Sequence, residues 1–208
     1  MTAEPTSGKR MTEAEYLVFE RESEYKHEFV DGYVFRKGNP PVKRGSGRNH
    51  SLITVSASSA LYNQLRGKGC SVYSSDMKVL TPSTDTYVYP DLTIVCGESQ
   101  LADDKSDILL NPTLIIEILS PSTELHGRNV KFRRYREIET LQEYVLIAQD
   151  QARIERFLRQ DDETWLFSEV NGLEASIIFP SISCTLRLAE IYEQVTFDPP
   201  QDAPQDGE

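Results

Sequence analysis

The run TLIIEILSPST (Thr113–Thr123) sets one carboxylate in the middle of an apolar strand. Side chains alternate across a strand, so Leu114, Ile116 and Ile118 share one face while Ile115, Glu117 and Leu119 share the other. Both faces are apolar, so the strand is expected inside a sheet covered on both sides, with Glu117 taken out of water. A buried charge is costly unless it is paired or binds a cation. VYPDLTIVC (Val88–Cys96) repeats the pattern, because Asp91 opens another apolar run. Pro90 before it cannot donate to a ladder, which marks an edge or a strand entrance. Two such carboxylates near each other repel unless a divalent cation lies between them. The plainer alternative makes each of them half of a structural ion pair.

Working outward, Thr12-Glu13-Ala14-Glu15 is a capping box that opens a short helix. Phe29 to Arg36 alternates around Asp31-Gly32 and predicts a hairpin. GNPPVKRGSGR (38–48) reads as a loop. His50 to Arg66 reads as a helix whose stripe is Ile53, Ala57, Ala60, Leu61 and Leu65, with His50 at its head. Strands are expected over Ser71–Leu80, Tyr87–Cys96 and Thr113–Leu119, then a helix over Ser122–Glu139. Further strands follow at Glu143–Gln149, Arg153–Arg159 and Thr164–Val170, with Gln160-Asp161-Asp162 between the last two, and Leu186–Glu193 closes as a helix. That order predicts an α/β (mixed α+β) fold, a mixed central sheet flanked by helices, with an N-terminal helix and hairpin. Residues 11–196 are read as one domain, and 1–10 and 197–208, the latter acidic and Pro-rich, as disordered tails.

With 208 residues, 38% hydrophobic and 26% charged, the chain suits a single globular domain. Its mean hydropathy is −0.45. No apolar run approaches the roughly 18 residues of a membrane span, and the N-terminus does not read as a signal peptide, so a cytoplasmic protein with no membrane partner is expected. Three cysteines with no C-x-x-C spacing argue against a disulfide scaffold and a cysteine zinc site. A net charge of −11 disfavours passive coating of nucleic acid but leaves room for a metal-dependent enzyme acting on an anion. P-loop, G-x-S-x-G and H-E-x-x-H patterns are absent. Two stretches without acids stand out: His126 to Arg136, with Arg128, Lys131, Arg133, Arg134 and Arg136, and loop 37–48, with Lys37, Lys43, Arg44 and Arg48. Both are candidates to line a groove for a DNA backbone, against the plainer reading of solvated charge. Trp165 and Phe167 read as core packing.

A Pro-Asp on one strand, a Glu on a later apolar strand and a basic helix after it resemble the PD-(D/E)XK nuclease arrangement. The resemblance sharpens with Tyr25-Lys26-His27-Glu28-Phe29-Val30-Asp31-Gly32, Arg48-Asn49-His50, Ser75-Asp76-Met77-Lys78-Val79, Tyr89-Pro90-Asp91-Leu92, Glu117-Ile118-Leu119-Ser120-Pro121-Ser122-Thr123 and Lys131-Phe132-Arg133-Arg134-Tyr135. In this order they resemble the successive motifs of the Uma-two family, a mostly bacterial family assigned to restriction endonucleases.

The resemblance implies a restriction-endonuclease-like core and Mg²⁺ (or Mn²⁺)-dependent hydrolysis of DNA phosphodiester bonds. It implies Asp91 and Glu117 as metal ligands, Glu28 as a third acid joining the metal, and His50 at the mouth of the site. Asp76 matches a further acidic position. The superfamily lysine would stand two residues after Glu117, where this chain has Leu119. Lys131 is the substitute, since a lysine four before an aromatic recurs in the family here, and Lys131 and Tyr135 share a helix face. Lys78 is the runner-up. Arg48, Arg128, Arg133 and Arg134 are then the candidate DNA contacts, and a homodimer is expected because cutting both strands needs two sites or two passes. Two rivals remain: a catalytically inactive nuclease fold serving as a nucleic-acid-binding or protein-interaction module, and a structural homo-oligomer whose acids only pair with arginines.

Overall fold

A computed structural model describes residues 10–37, 47–81, 86–102, 104–105, 107–119 and 126–197. In chain order the elements are α1 (Glu13–Glu22), β1 (His27–Val30), β2 (Tyr33–Arg36), α2 (Gly47–Leu65), β3 (Cys70–Ser74), β4 (Lys78–Thr81), β5 (Thr86–Val88), β6 (Leu92–Cys96), β7 (Ile108–Leu109) and β8 (Leu114–Leu119). There follow a π-helical turn (His126–Lys131), α3 (Phe132–Tyr135), β9 (Glu143–Ala148), β10 (Arg153–Arg159), β11 (Trp165–Asn171), β12 (Ser176–Phe179), a 3₁₀ turn (Pro180–Ile182), β13 (Cys184–Arg187) and α4 (Leu188–Ile191).

Among the described residues the strands form a six-stranded mixed sheet, β11-β10-β9-β8-β6-β3, a five-stranded sheet, β2-β1-β5-β4-β7, and the hairpin β12-β13. This is the expected mixed α+β class. β8 lies inside the larger sheet, antiparallel to β6 and parallel to β9, and every residue along it is buried. Its Leu114, Ile116 and Ile118 join α2 (through Ile53, Ala57, Leu61 and Leu65), β12, β13 and α4 in one core. Ile115 and Leu119 face a second core built with Tyr135 and Tyr144. Glu117 shares that second face. A third cluster packs α1 on the smaller sheet through Tyr16, Phe29, Val34 and Tyr87. The Thr12 capping box forms as expected, with both of its reciprocal bonds.

Two long strands predicted from sequence are each cut in two. Ser71–Leu80 divides into β3 and β4, and Tyr87–Cys96 into β5 and β6, the halves belonging to different sheets. Pro90 has no N–H for a ladder, and the Ser74 hydroxyl bonds Asp76 at the other break, so the chain crosses between sheets at both points. The helix expected over Ser122–Glu139 is described only from His126 and ends at Tyr135. The Arg159 guanidinium covers the Ile138 carbonyl just beyond it. Cys184 to Arg187 alternates buried and exposed, so it is a strand and the closing helix starts only at Leu188. α2 starts at Gly47, three residues before its predicted head.

The expectation against disulfides needs correction: Cys70 and Cys96 are directly paired across β3 and β6 and form a disulfide, a neighbourhood that a sequence separation of 26 conceals. Cys184 is buried and free. Most of loop 38–48 and of both expected tails lies outside the described residues, although Arg10 bonds the Asp31 carbonyl and Phe197 packs on Tyr192. Among the described residues no helix is long and apolar enough to cross a membrane.

Glu143, at the start of β9, is wholly buried, with Oε1 accepting from the Ser181 amide and Oε2 without a partner. Burial pushes its carboxyl up to about 7, against the Ser181 amide and Arg156. The folded chain therefore keeps a proton that the unfolded chain has already lost, and stability falls as pH rises from about 4.5 to about 7. Glu143→Gln keeps the acceptor and removes the charge. It is expected to stabilise the fold by about 2 kcal/mol near pH 8 and little near pH 4, read by urea denaturation at both.

Candidate active site

The β6–β8 register pairs Leu92 with Ile116, so Asp91, one residue before β6, faces Glu117 across the same side of the sheet. The two acids are 5% and 4% exposed. Asp91 Oδ2 accepts the Ile118 amide at 2.8 Å and His50 Nε2 at 3.1 Å, while Lys37 Nζ approaches Oδ1 at 3.4 Å. Glu117 Oε1 accepts Lys131 Nζ at 2.9 Å and the Tyr135 hydroxyl at 2.7 Å. Glu28 enters from β1, its Oε1 lying 3.4 Å from Lys131 Nζ and 3.4 Å from the Tyr89 amide. Thus two sheets and one helix supply the cluster: β1 gives Glu28, the β5–β6 crossing gives Asp91, β8 gives Glu117, and the π turn delivers Lys131.

Local electrostatics separate the two central acids. Burial opposes ionisation of Asp91, but the His50 hydrogen bond, Lys37 and the Ile118 amide outweigh it and hold the carboxyl well below the usual range. Burial raises Glu117, as do the charges of Asp91 and Glu28, against the pull of Lys131 and Lys37. Burial also disfavours the Lys131 ammonium, yet Glu117 and Glu28 hold it well above its ordinary value. Because an ionised Asp91 can only accept, His50 Nε2 carries a proton toward it.

Among the described residues three carboxylates here face two ammonium groups, Lys131 and Lys37, an acidic balance that a cation would neutralise. From the described residues Glu117 Oε2 accepts no hydrogen bond, and Asp91 Oδ1 has only the long contact to Lys37. Among the described residues no three His, Cys, Asp or Glu side chains converge at metal-binding spacing. Mg²⁺ commonly takes one or two carboxylates and completes its shell with water and phosphate, so hard oxygens from Asp91 and Glu117 fit it.

Other sequence candidates lie elsewhere. Lys78, the runner-up lysine, is buried against Asp107 at 2.6 Å. Asp76 is exposed and pairs with Lys26. Arg128 makes a forked ion pair with Glu155 of β10. Arg134 binds Asp31 of the hairpin turn at 2.7 Å and the Thr86 hydroxyl at 3.0 Å. Those two arginines therefore brace the π turn and α3, the segment that carries Lys131. Arg48 and Arg133 are exposed, the first at the head of α2 near His50.

Two contributors carry no role at the acidic cluster in the sequence. Lys37 reads there as part of a basic loop offered to a DNA backbone, yet the Asp31-Gly32 hairpin register sets it on the face of Glu28, because Glu28 pairs with Phe35 two residues earlier. Tyr135 reads there only as the helical partner of Lys131. The i, i+4 spacing is a usable signal, since whatever Lys131 reaches, Tyr135 reaches too.

A family model described as "Uma2: Putative restriction endonuclease" matches residues 13–189. A protein of Synechocystis sp., described as uncharacterized, is 32% identical over 189 residues, covering 90% of this chain and 94% of that one. A second from the same organism, described likewise, is 34% identical over 171 residues, covering 82% and 93%. The crystal structure of a putative nuclease belonging to DUF820 from Anabaena variabilis ATCC 29413 superposes with a TM-score of 0.65 at 18% identity, over 88% of this chain and 98% of the other. That likeness speaks for the nuclease-like fold. The family model spans most of the chain, so the chain belongs to the Uma2 family, described as putative restriction endonucleases.

Proposed function

We propose that the protein is a divalent-metal-dependent endonuclease that hydrolyses DNA phosphodiester bonds at the Asp91–Glu117–Lys131 cluster. The single observation that carries this is two buried carboxylates facing each other across β6 and β8 with an ammonium held 2.9 Å from one of them. Asp91 and Glu117 would hold Mg²⁺ or Mn²⁺, which supplies Lewis-acid polarisation of a phosphoryl oxygen and acidifies a water. Lys131 is fixed as an ammonium and supplies positive charge where the pentacovalent phosphorane gathers negative charge. Lys37 neutralises part of the acid charge that would otherwise repel a phosphate. His50, with its side chain 35% exposed, orients Asp91 and stands at the mouth where a phosphate or water would enter. Arg48 and Arg133, exposed and two residues from His50 and Lys131 in sequence, are the candidates for backbone contact.

The test is cleavage of supercoiled plasmid by purified protein. Cutting is expected with Mg²⁺ or Mn²⁺ and is expected to vanish with chelator and return on adding the ion. Uptake of Mn²⁺ by chelator-stripped protein, followed by calorimetry, is the second arm. No uptake and no cutting under either ion would sink the reading.

A further inference from the structure

We propose that Tyr135 is a positioning residue for the metal: with Lys131 it clamps one oxygen of Glu117, so that the other oxygen alone is offered to a divalent cation beside Asp91. This rests on the metal-site reading above. Tyr135 is 1% exposed, and its hydroxyl meets Glu117 Oε1 at 2.7 Å. A buried phenol needs a partner, and Glu117 Oε1, which already accepts the Lys131 ammonium, is the acceptor that it meets.

The ring cannot swing away. It packs 5.2 Å from Tyr144, whose own hydroxyl is bonded to the Gly127 carbonyl in the π turn. Lys131 reaches the same Oε1 from one helical turn earlier, so two donors on a single rigid segment take both lone pairs of that atom. Oε2 accepts no hydrogen bond from the described residues. A carboxylate held this way binds a cation through one oxygen, which suits the small, near-octahedral Mg²⁺ better than Ca²⁺, which takes bidentate carboxylates. Packing alone does not explain the residue, because phenylalanine would fill the same space with no hydroxyl to desolvate.

The experiment is Mn²⁺ titration by calorimetry on chelator-stripped full-length wild type, Tyr135→Phe and Tyr192→Phe. Phenylalanine retains every ring contact at position 135, so the variant folds. Tyr192 is the control: its buried hydroxyl bonds the Ala148 and Arg153 carbonyls and touches none of the three acids. Tyr135→Phe is expected to bind Mn²⁺ about 10-fold or more weakly, the usual cost of losing a group that orients a metal ligand. Tyr192→Phe is expected to stay within about twofold of wild type in affinity, while its melting temperature drops as much as that of Tyr135→Phe. Unchanged affinity in Tyr135→Phe, or an equal loss in Tyr192→Phe, would overturn the clamp. Absence of Mn²⁺ uptake by the wild type would instead overturn the metal reading on which it rests.

Discussion

Lys131→Met is expected to lower cleavage about 10²–10³-fold, the range seen when one charge-stabilising donor is removed from an active site. Methionine keeps the length and apolar stem and deletes only the ammonium. That group stands 2.9 Å from Glu117 and 3.4 Å from Glu28, so its loss leaves buried acids with Lys37 as the remaining ammonium of the cluster. Breaking a buried pair from one side costs about 3–5 kcal/mol, and the variant should lose stability on that scale near neutral pH. The sign with pH follows from Glu117, whose carboxyl is already raised by burial and rises further without Lys131. The folded variant then binds a proton that the unfolded chain has released, so its stability recovers as pH falls through the raised value. Urea denaturation at several pH values, alongside plasmid cleavage, reads both effects. A variant that cuts at wild-type rate would show that the ammonium takes no part in the chemistry. A variant as stable as wild type at every pH would show that Glu117 is neutral in the fold.

The central strand is legible because burial on both faces forces a period-two reading, so the order of residues from Leu114 to Leu119 is enough to say which of them share a side with Glu117. Pro90 is legible for a different reason: a missing N–H is a local property. What the sequence hides are decisions made by tertiary partners. Ser71 to Leu80 has the composition of one strand, and only the second sheet's demand for β4 beside β5 divides it at Ser75. Arg128 and Arg134 read in sequence as candidate DNA contacts in a basic run, with solvated charge as the plainer alternative. In the fold they meet Glu155 and Asp31, 27 and 103 positions away, and hold the helix rather than the surface. Cys70 and Cys96 have no spacing signal, since strand register alone makes them neighbours. Lys37 is accessible in principle: an Asp-Gly turn fixes hairpin register, register fixes the face, and the face already holds Glu28.

Asp91→Asn is expected to be the more complete knockout, with cleavage down about 10³-fold or more, equivalent to about 4 kcal/mol of lost transition-state stabilisation. The substitution is nearly isosteric, and its carbonyl can still accept the Ile118 amide. The other atom becomes an amide nitrogen facing the Lys37 ammonium, a donor set against a donor where Oδ1 had been. The site thus loses a cation ligand and a negative charge together, and Mn²⁺ uptake should weaken in parallel. Stability should respond differently. His50, Lys37 and the Ile118 amide depress the wild-type carboxyl in spite of burial, so Asp91 contributes stability above its ordinary value of 3.8 that is lost as pH falls toward the lower folded value. Wild type and Asp91→Asn should therefore differ at neutral pH and converge in strong acid, where the wild-type carboxyl is protonated too. Chemical denaturation across that range separates a damaged fold from a damaged site. Cleavage that survives within about tenfold of wild type would mean that the hydrolysis comes from somewhere other than this cluster.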